Sequence, residues 1–174
     1  AVATSFEVSP NRIAAALQDA QPPRMRGEVL DFAAGFRVVD DSYNSNPRSL
    51  ANMVRTITEA GNKSSRRIVI AGEMLELGPE AASLHRETGR EIATSGIDVL
   101  WGVRGLAKEL IAGASQAGLK QTRLFESSEE AARAIMTEIR EGDLILIKGS
   151  RGVATDKIVS AIRKQFPLAG SHQD

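Results

Sequence analysis

Two hydrophobic periods alternate along this chain. Four short runs, IVIA (68–71), DVLWGV (98–103), RLF (123–125) and LILI (144–147), have the length of strands; two of them are apolar throughout, and DVLWGV is so after its leading aspartate. Unbroken apolar runs of that length mark strands covered on both faces. Between the runs, apolar residues recur three and four positions apart. Leu50, Met53, Val54 and Ile57 fall on one helical face. So do Leu106, Leu110, Ile111 and Ala114, then Ala131, Ile135 and Ile139, and finally Ile158, Val159, Ile162 and Phe166. Start signals agree with these helices. SSEE (127–130) has a capping-box pattern, with Ser127 as the cap and Glu130 three residues on. Pro10 and Pro79 stand where a first helical residue belongs, because a missing N–H costs nothing there. Strands alternating with amphipathic helices predict an α/β fold, a Rossmann-like, doubly wound, mostly parallel sheet with flanking helices.

The front of the chain departs from this pattern. Residues 1–20 predict one helix, capped by Ser9. The two prolines of DAQPPR (19–24) then break the chain as a linker. GEVLDF and FRVVD, separated by AAG, predict a small antiparallel pair at the N-terminal side. The expected organisation is a leading segment with its linker, residues 1–22, one α/β domain, residues 23–168, and a frayed tail, residues 169–174.

Composition narrows the function classes. The 174 residues are 42% hydrophobic and 25% charged, which suffices for a real core. Lys plus Arg and Asp plus Glu both number 22, so the formal net charge is zero. That balance argues against a general nucleic-acid binder, which needs a clustered basic excess to displace counterions. The absence of cysteine excludes disulfides and thiolate zinc sites and is compatible with a reducing cytoplasm. No run approaches the roughly 20 apolar residues of a membrane span. The opening AVATSFEVSPNRIAAAL lacks the basic start and continuous apolar stretch of a secretory signal. It also lacks a methionine, and is expected to be the start of a fragment.

Three stretches carry candidate chemistry. In RVVDDSYNSNPRSL (37–50), Asn46 and Pro47 make a good helix start. Asp40, Asp41, Tyr43 and Asn44 are left over, after a strand and before a helix. Ligands bind at such carboxyl ends of strands in open α/β sheets, and an aspartate there can accept from ribose hydroxyls. A polar turn satisfied by its own side chains explains the same residues. In LILIKGSRGVATDKI (144–158), two glycines, two cations and a hydroxyl beside a helix N-terminus favour an anion. A glycine-bearing loop is the plain alternative. Lys148 is placed at the strand end with its ammonium in solvent, so that truncating it barely alters folding. In AGEMLELGPEAASLHRETG (71–89), Glu73 is another strand-end carboxylate, and His85 suits a structural hydrogen bond. With His85 the one histidine outside the tail, neither a histidine triad nor a metal site is expected. Trp101 is expected to pack on the sheet. No Walker A or dinucleotide glycine motif is present.

Taken together, these motifs resemble the C-terminal domain of the Mur ligases, most closely of the members that join D-alanyl-D-alanine to UDP-N-acetylmuramoyl-tripeptide. DDSYNSNP is similar to that family's D-D-S-Y-N-A-N-P, AGEMLELG with His85 to G-D-M-x-E-L-G…H, and LIKGSRG to L-V-K-G-S-R. Ser45 and Glu73 replace the commoner alanine and aspartate. The family's P-loop, magnesium ligands and UDP-sugar domain have no counterpart in this stretch. The resemblance implies a bacterial, cytoplasmic enzyme of peptidoglycan precursor synthesis, an ATP-dependent amide ligase of three domains. ATP phosphorylates the tripeptide carboxylate, and the amine of the dipeptide attacks the acyl phosphate. This chain would be the closing domain, monomeric, free of nucleic acid and membrane, and inactive alone. Its partner would be the central ATPase domain, which holds Mg2+ and shares the ATP, with residues 1–22 as that domain's trailing segment. Carried over by position, Arg26 approaches the ATP phosphates, with Arg24 as runner-up. Asp41 accepts from the ribose, and Tyr43, Asn44 and Asn46 flank base and sugar. Lys148, Ser150 and Arg151 face the incoming substrate or acyl phosphate. Glu73 and His85 belong to a motif without an implied role. Two other readings stay open, a stand-alone α/β nucleotide- or anion-binding module and a flavodoxin-like or receiver-like regulatory domain.

Overall fold

The computed structural model describes residues 8–18, 23–60 and 65–170. Helix α1 (Pro10–Gln18) opens at the predicted proline, and the Ser9 hydroxyl accepts from the Arg12 N–H at 3.4 Å. The rest of the predicted leading helix and the linker residues 19–22 lie outside the described residues. Six strands follow: β1 (Glu28–Asp31), β2 (Arg37–Asp41), β3 (Arg67–Gly72), β4 (Val99–Val103), β5 (Gln121–Phe125) and β6 (Leu144–Lys148). They form one sheet in the order β1-β2-β6-β3-β4-β5. β1 and β2 are the predicted antiparallel pair, in register Glu28 to Asp40, and every other pairing is parallel.

Strand alternation divides the core in two. Ile145 and Ile147 of β6 and Ile68 and Ile70 of β3 point to one face, where α5 (Ser128–Ile135) and α6 (Asp156–Gln165) cover them. Leu144, Leu146, Val69 and Ala71 point to the other. There α2 (Pro47–Ala60), α3 (Ala81–Ala93) and α4 (Ala107–Gln116) lie. Burial on both faces is what the unbroken apolar runs required. The chain advances from β2 to β5 with its helices on the second face. It then turns back to insert β6 between β2 and β3, and the helices change face, as right-handed crossovers demand. That reversal makes the carboxyl ends of β2, β6 and β3 the switch point, where open α/β sheets bind ligands.

Several boundaries differ from the periodic pattern. α5 ends at Ile135, four residues short of Ile139, because a turn carries the chain to Asp143. Ile139 still packs on the core from that turn. Pro79 sits inside a 3-10 turn (Gly78–Glu80) that leads into α3, so it starts the turn rather than the helix itself. Phe166 follows α6 in extended conformation, yet its ring meets Phe36 edge-on at 5.1 Å. The start of the expected tail is held: Leu168 bridges to Phe32, and the Ala169 N–H donates to Asp31 O at 2.8 Å. Residues 171–174 lie outside the described residues. Trp101 packs within the sheet face against Phe125 as expected. The amino ends of β3 and β6 are tied by Arg66, whose guanidinium donates twice to the Asp143 carboxylate, at 2.9 and 2.7 Å.

Candidate functional site

The sheet register builds the site. It sets Asp41, the last residue of β2, beside Lys148, the last of β6, and Lys148 beside Ala71 of β3. The three sequence motifs therefore meet at one carboxyl edge. At the first corner the capping signal is local and works as read. Asn46 Oδ1 accepts from the Ser49 N–H at 2.8 Å, and the Ser49 hydroxyl accepts from the Asn46 N–H at 3.1 Å. Asn46 thus spends its carbonyl oxygen on α2. Asn44 Oδ1 accepts from the Ser45 N–H at 2.8 Å, while its side chain stays at the exposed surface.

Asp40 and Asp41 have opposite fates because neighbours on a strand point to opposite faces. Asp40 is buried, and its Oδ1 accepts from both the N–H and the hydroxyl of Ser42, at 3.1 and 2.5 Å. Burial pushes its carboxyl above the ordinary carboxylate range, against the pull of those two bonds, and the charges of Glu28 and Asp156 push the same way. A carboxyl raised in the folded state stabilises the fold fully below its unfolded pKa, near 3.9 for aspartate, and loses that contribution as pH rises through the folded value. Asp40→Asn keeps the acceptor for Ser42 and removes the buried charge. Thermal melts should therefore show the variant above wild type at neutral pH, with the gap closing as pH falls through the carboxylate range. A gap that widens toward low pH would contradict this account.

Asp41 points to the motif at β6. The Lys148 ammonium donates to Asp41 Oδ2 at 2.5 Å and to Asn44 O at 2.8 Å, with side chains only 4% and 13% exposed. The expected solvated lysine head is thus corrected: a strand flanked on both sides carries its last residue into the interior. Asp41 Oδ1 has no protein partner among the described residues. Tyr43 lies at the surface between two cations, with the Arg26 guanidinium 4.1 Å and that of Arg151 5.7 Å from its ring centroid. Arg24 is exposed in the adjoining turn. Tyr43, Asn44, Leu75, Glu76, Ser150 and Arg151 line a hollow of about 230 Å³. A larger apolar hollow, about 660 Å³, lies toward the amino ends of β2 and β6 and involves none of the candidate site residues.

The third motif grips the second. The Leu75 N–H donates to Ser150 Oγ at 3.0 Å. Glu73 Oε1 accepts from the Leu106 N–H at 3.0 Å, and its carboxylate lies against Gly105, where a Cβ would sit 2.2 Å from Oε2. That turn aims Arg104, whose Nη1 donates to Gly152 O at 2.8 Å. Ser128 Oγ donates to Val153 O at 2.9 Å from the far side. His85 is fully buried, with Nε2 2.9 Å from the Met74 nitrogen and Nδ1 2.6 Å from Ala81 O. It is the structural hydrogen-bonder expected, and its burial withdraws it from direct ligand contact. Among the described residues, the non-glycine positions with positive φ are Met25, Glu76, Arg104 and Ala154. All four sit at this edge, where strain of about 1–3 kcal/mol each is held in place by the surroundings. Leu75 and Arg104 were missed as contributors, although an Arg-Gly pair directly after a strand was visible.

Comparison with known proteins follows the same three stretches. The family model for the Mur ligase, glutamate ligase domain matches residues 25–151. The chain is 28% identical over 155 residues to the UDP-N-acetylmuramoyl-tripeptide–D-alanyl-D-alanine ligase of Bacillus subtilis, covering 88% of this chain and 34% of that one. It is 34% identical over 145 residues to the ligase of the same name from Rickettsia prowazekii, covering 82% of this chain and 31% of the other. Among solved structures, a MurF from Acinetobacter baumannii superposes with a TM-score of 0.79 at 23% identity, over 93% of this chain and 35% of that chain. The MurF ligase of Thermotoga maritima, in complex with ADP, superposes with a TM-score of 0.69 at 21% identity, over 84% and 32%. These structures share the fold. The chain spans about a third of the length of the curated relatives it matches.

Proposed function

The chain belongs to the Mur ligase family, through its glutamate ligase domain, and from that premise we propose that residues 23–168 are the C-terminal domain of a bacterial ligase. The reaction is the ATP-dependent joining of D-alanyl-D-alanine to UDP-N-acetylmuramoyl-tripeptide, in the cytoplasm. The observation that carries this is the meeting of three motifs at one sheet edge, where Asp41 pairs with Lys148 while Tyr43, Ser150 and Arg151 line a hollow. Asp41 Oδ1 accepts from the ribose while Oδ2 stays on Lys148. Tyr43 and Asn44 flank base and sugar, and Arg26 reaches the phosphates from its place on Tyr43. Ser150 and Arg151 face the dipeptide or acyl phosphate, as hydroxyl and guanidinium donors to an anionic oxygen. A central ATPase domain supplies the phosphate-binding loop and the Mg2+, and closes against this edge. Residues 1–22 are the end of that domain, and the enzyme works as a monomer.

The receiver-like alternative loses ground on two observations. A flavodoxin-like sheet runs 2-1-3-4-5, whereas here the last strand enters between the first two parallel ones. A receiver also gathers acids for a metal, and no group of three His, Cys, Asp or Glu residues that could hold one comes together among the described residues. No helix among them is long and apolar enough to cross a membrane.

Two measurements test the proposal. The full-length ligase should release phosphate from ATP only with tripeptide and D-alanyl-D-alanine present, and the isolated chain should be blank. Turnover by the isolated chain would overturn it. In an NMR titration with ATP the isolated chain should bind at about millimolar affinity or weaker, because its contacts are few and open. The shifts should centre on residues 40–47. Shifts elsewhere, with that corner silent, would remove Asp41 from the nucleotide site.

A further inference from the structure

We propose that His85 is a positioning residue: through the backbone at Met74 and Leu75 it aims the Ser150 hydroxyl proton into the hollow beside Arg151. The inference rests on the ligase reading, and gives His85 the role that its motif membership left open.

The tautomer is decided by its partners. The Met74 N–H, 2.9 Å from Nε2, can only donate, so Nε2 is the acceptor. The ring proton is then on Nδ1, where Ala81 O, at 2.6 Å, accepts it. His85 therefore spans from the first turn of α3 to the loop after β3, with both nitrogens satisfied and no solvent contact. The next amide in that loop, Leu75 N–H, donates to Ser150 Oγ at 3.0 Å. Two successive N–H groups are thus anchored, one by His85 and one by Ser150. Glu76, directly after them, is held at φ 63, which an unanchored loop would leave.

The consequence falls on Ser150. A hydroxyl has one proton to give and two lone pairs to receive. Leu75 occupies a lone pair. Ser150 is buried, and no acceptor for its proton is found among the described residues. Ser150 lines the hollow with Arg151, Asn44 and Tyr43, so the proton is left for an acceptor on a ligand there. The carboxylate of the dipeptide and an acyl-phosphate oxygen both have that chemistry. Without His85 the 74–75 backbone is free to turn, the lone pair is released, and the hydroxyl rotates.

Swapping the histidine tests this. Gln can place an acceptor near the Nε2 position and keep the Met74 bond. Asn reaches only as far as Nδ1 and loses it. In the full-length ligase, His85→Asn should raise the KM for D-alanyl-D-alanine about tenfold, the size of one net hydrogen bond. His85→Gln should stay within about twofold of wild type. Amide exchange at residues 74 and 75 should quicken in His85→Asn and not in His85→Gln. Ser150→Ala added to His85→Asn should cost almost nothing further, since the aimed proton is already lost. Equal losses in the two variants, or full additivity with Ser150→Ala, would overturn the proposal, as would unchanged exchange at Leu75. Thermal melts of both variants separate this from general unfolding, because a structural role alone predicts KM effects that follow stability. An absence of dipeptide-dependent turnover in wild type would refute the ligase reading, while the exchange data would still judge the wiring.

Discussion

Replacing Gly89 by alanine lowers the melting temperature of the domain by roughly 5–10 °C. α3 and α4 approach so closely that a Cβ at Gly89 would lie 2.0 Å from Leu110 O, and one at Gly113 would lie 2.0 Å from Arg86 O. Both obstacles are backbone oxygens of the opposite helix, so no rotamer change relieves them. The helices must separate, which loosens the buried layer of Ile92, Leu110 and Ala114 beneath them. Overpacking of this kind costs about 3 kcal/mol. Alanine's better helix propensity returns less than about 1 kcal/mol of that. Gly113→Ala should behave alike. A single displacement relieves both clashes, so the double variant should lose clearly less than the sum of the singles. Melts followed by circular dichroism decide it. A Gly89→Ala protein that melts with wild type would mean that the helices have room to spare.

Neither glycine was legible as a contact, because nothing local distinguishes a helix-crossing glycine from one merely tolerated. What was legible rested on local physics. The cap at Asn46 and the capping Ser127, with its bond from the Glu130 N–H at 3.2 Å, are each satisfied within a few residues, and the all-apolar run of β6 marks a strand buried on both faces whatever its neighbours. The three motifs were also visible as strand-end chemistry, and the sheet does bring them together. What escaped was decided by register and topology. The insertion of β6 between β2 and β3 leaves no trace in the run LILI, yet it is what sets Lys148 against Asp41. His85 could be read as a hydrogen-bonder, but its partner at Met74 depends on a loop with a positive φ at Glu76. By residue type alone Asp40 and Asp41 look equivalent, and only the resemblance singled out Asp41; the pleat sends one to Ser42 and the other to the site edge. The helical period over Ala131, Ile135 and Ile139 ran past the true end of α5, because a turn can keep an apolar residue on the same core.

Lys148→Met should destabilise the domain by about 3 kcal/mol, because it removes one partner of a buried pair and leaves the other. The reasoning reverses the expectation for a solvated strand-end lysine. Its ammonium is enclosed, bonded to Asp41 Oδ2 at 2.5 Å and Asn44 O at 2.8 Å. Methionine fills the space of the stem but offers neither bond. The Asp41 carboxylate, 13% exposed, then faces an apolar group, and Asn44 O loses its donor. Asp41→Asn alone should cost less, since the amide oxygen can still accept from the lysine. The double variant should recover part of the Lys148→Met loss, because no unpaired carboxylate remains. The four proteins form a cycle, and urea unfolding of each gives a coupling of at least about 1 kcal/mol between the two positions. Nucleotide binding supplies the second reading. If Lys148 holds Asp41 for the ribose, then ATP shifts at residues 40–47 should weaken in Lys148→Met even at temperatures where the protein is fully folded. In the full-length ligase the same variant should raise the KM for ATP about tenfold, the loss of roughly 1.4 kcal/mol of positioning. An additive cycle would show that the ion pair is incidental to stability. A variant that loses turnover with its KM for ATP unchanged would return Lys148 to direct contact with the reacting acyl phosphate.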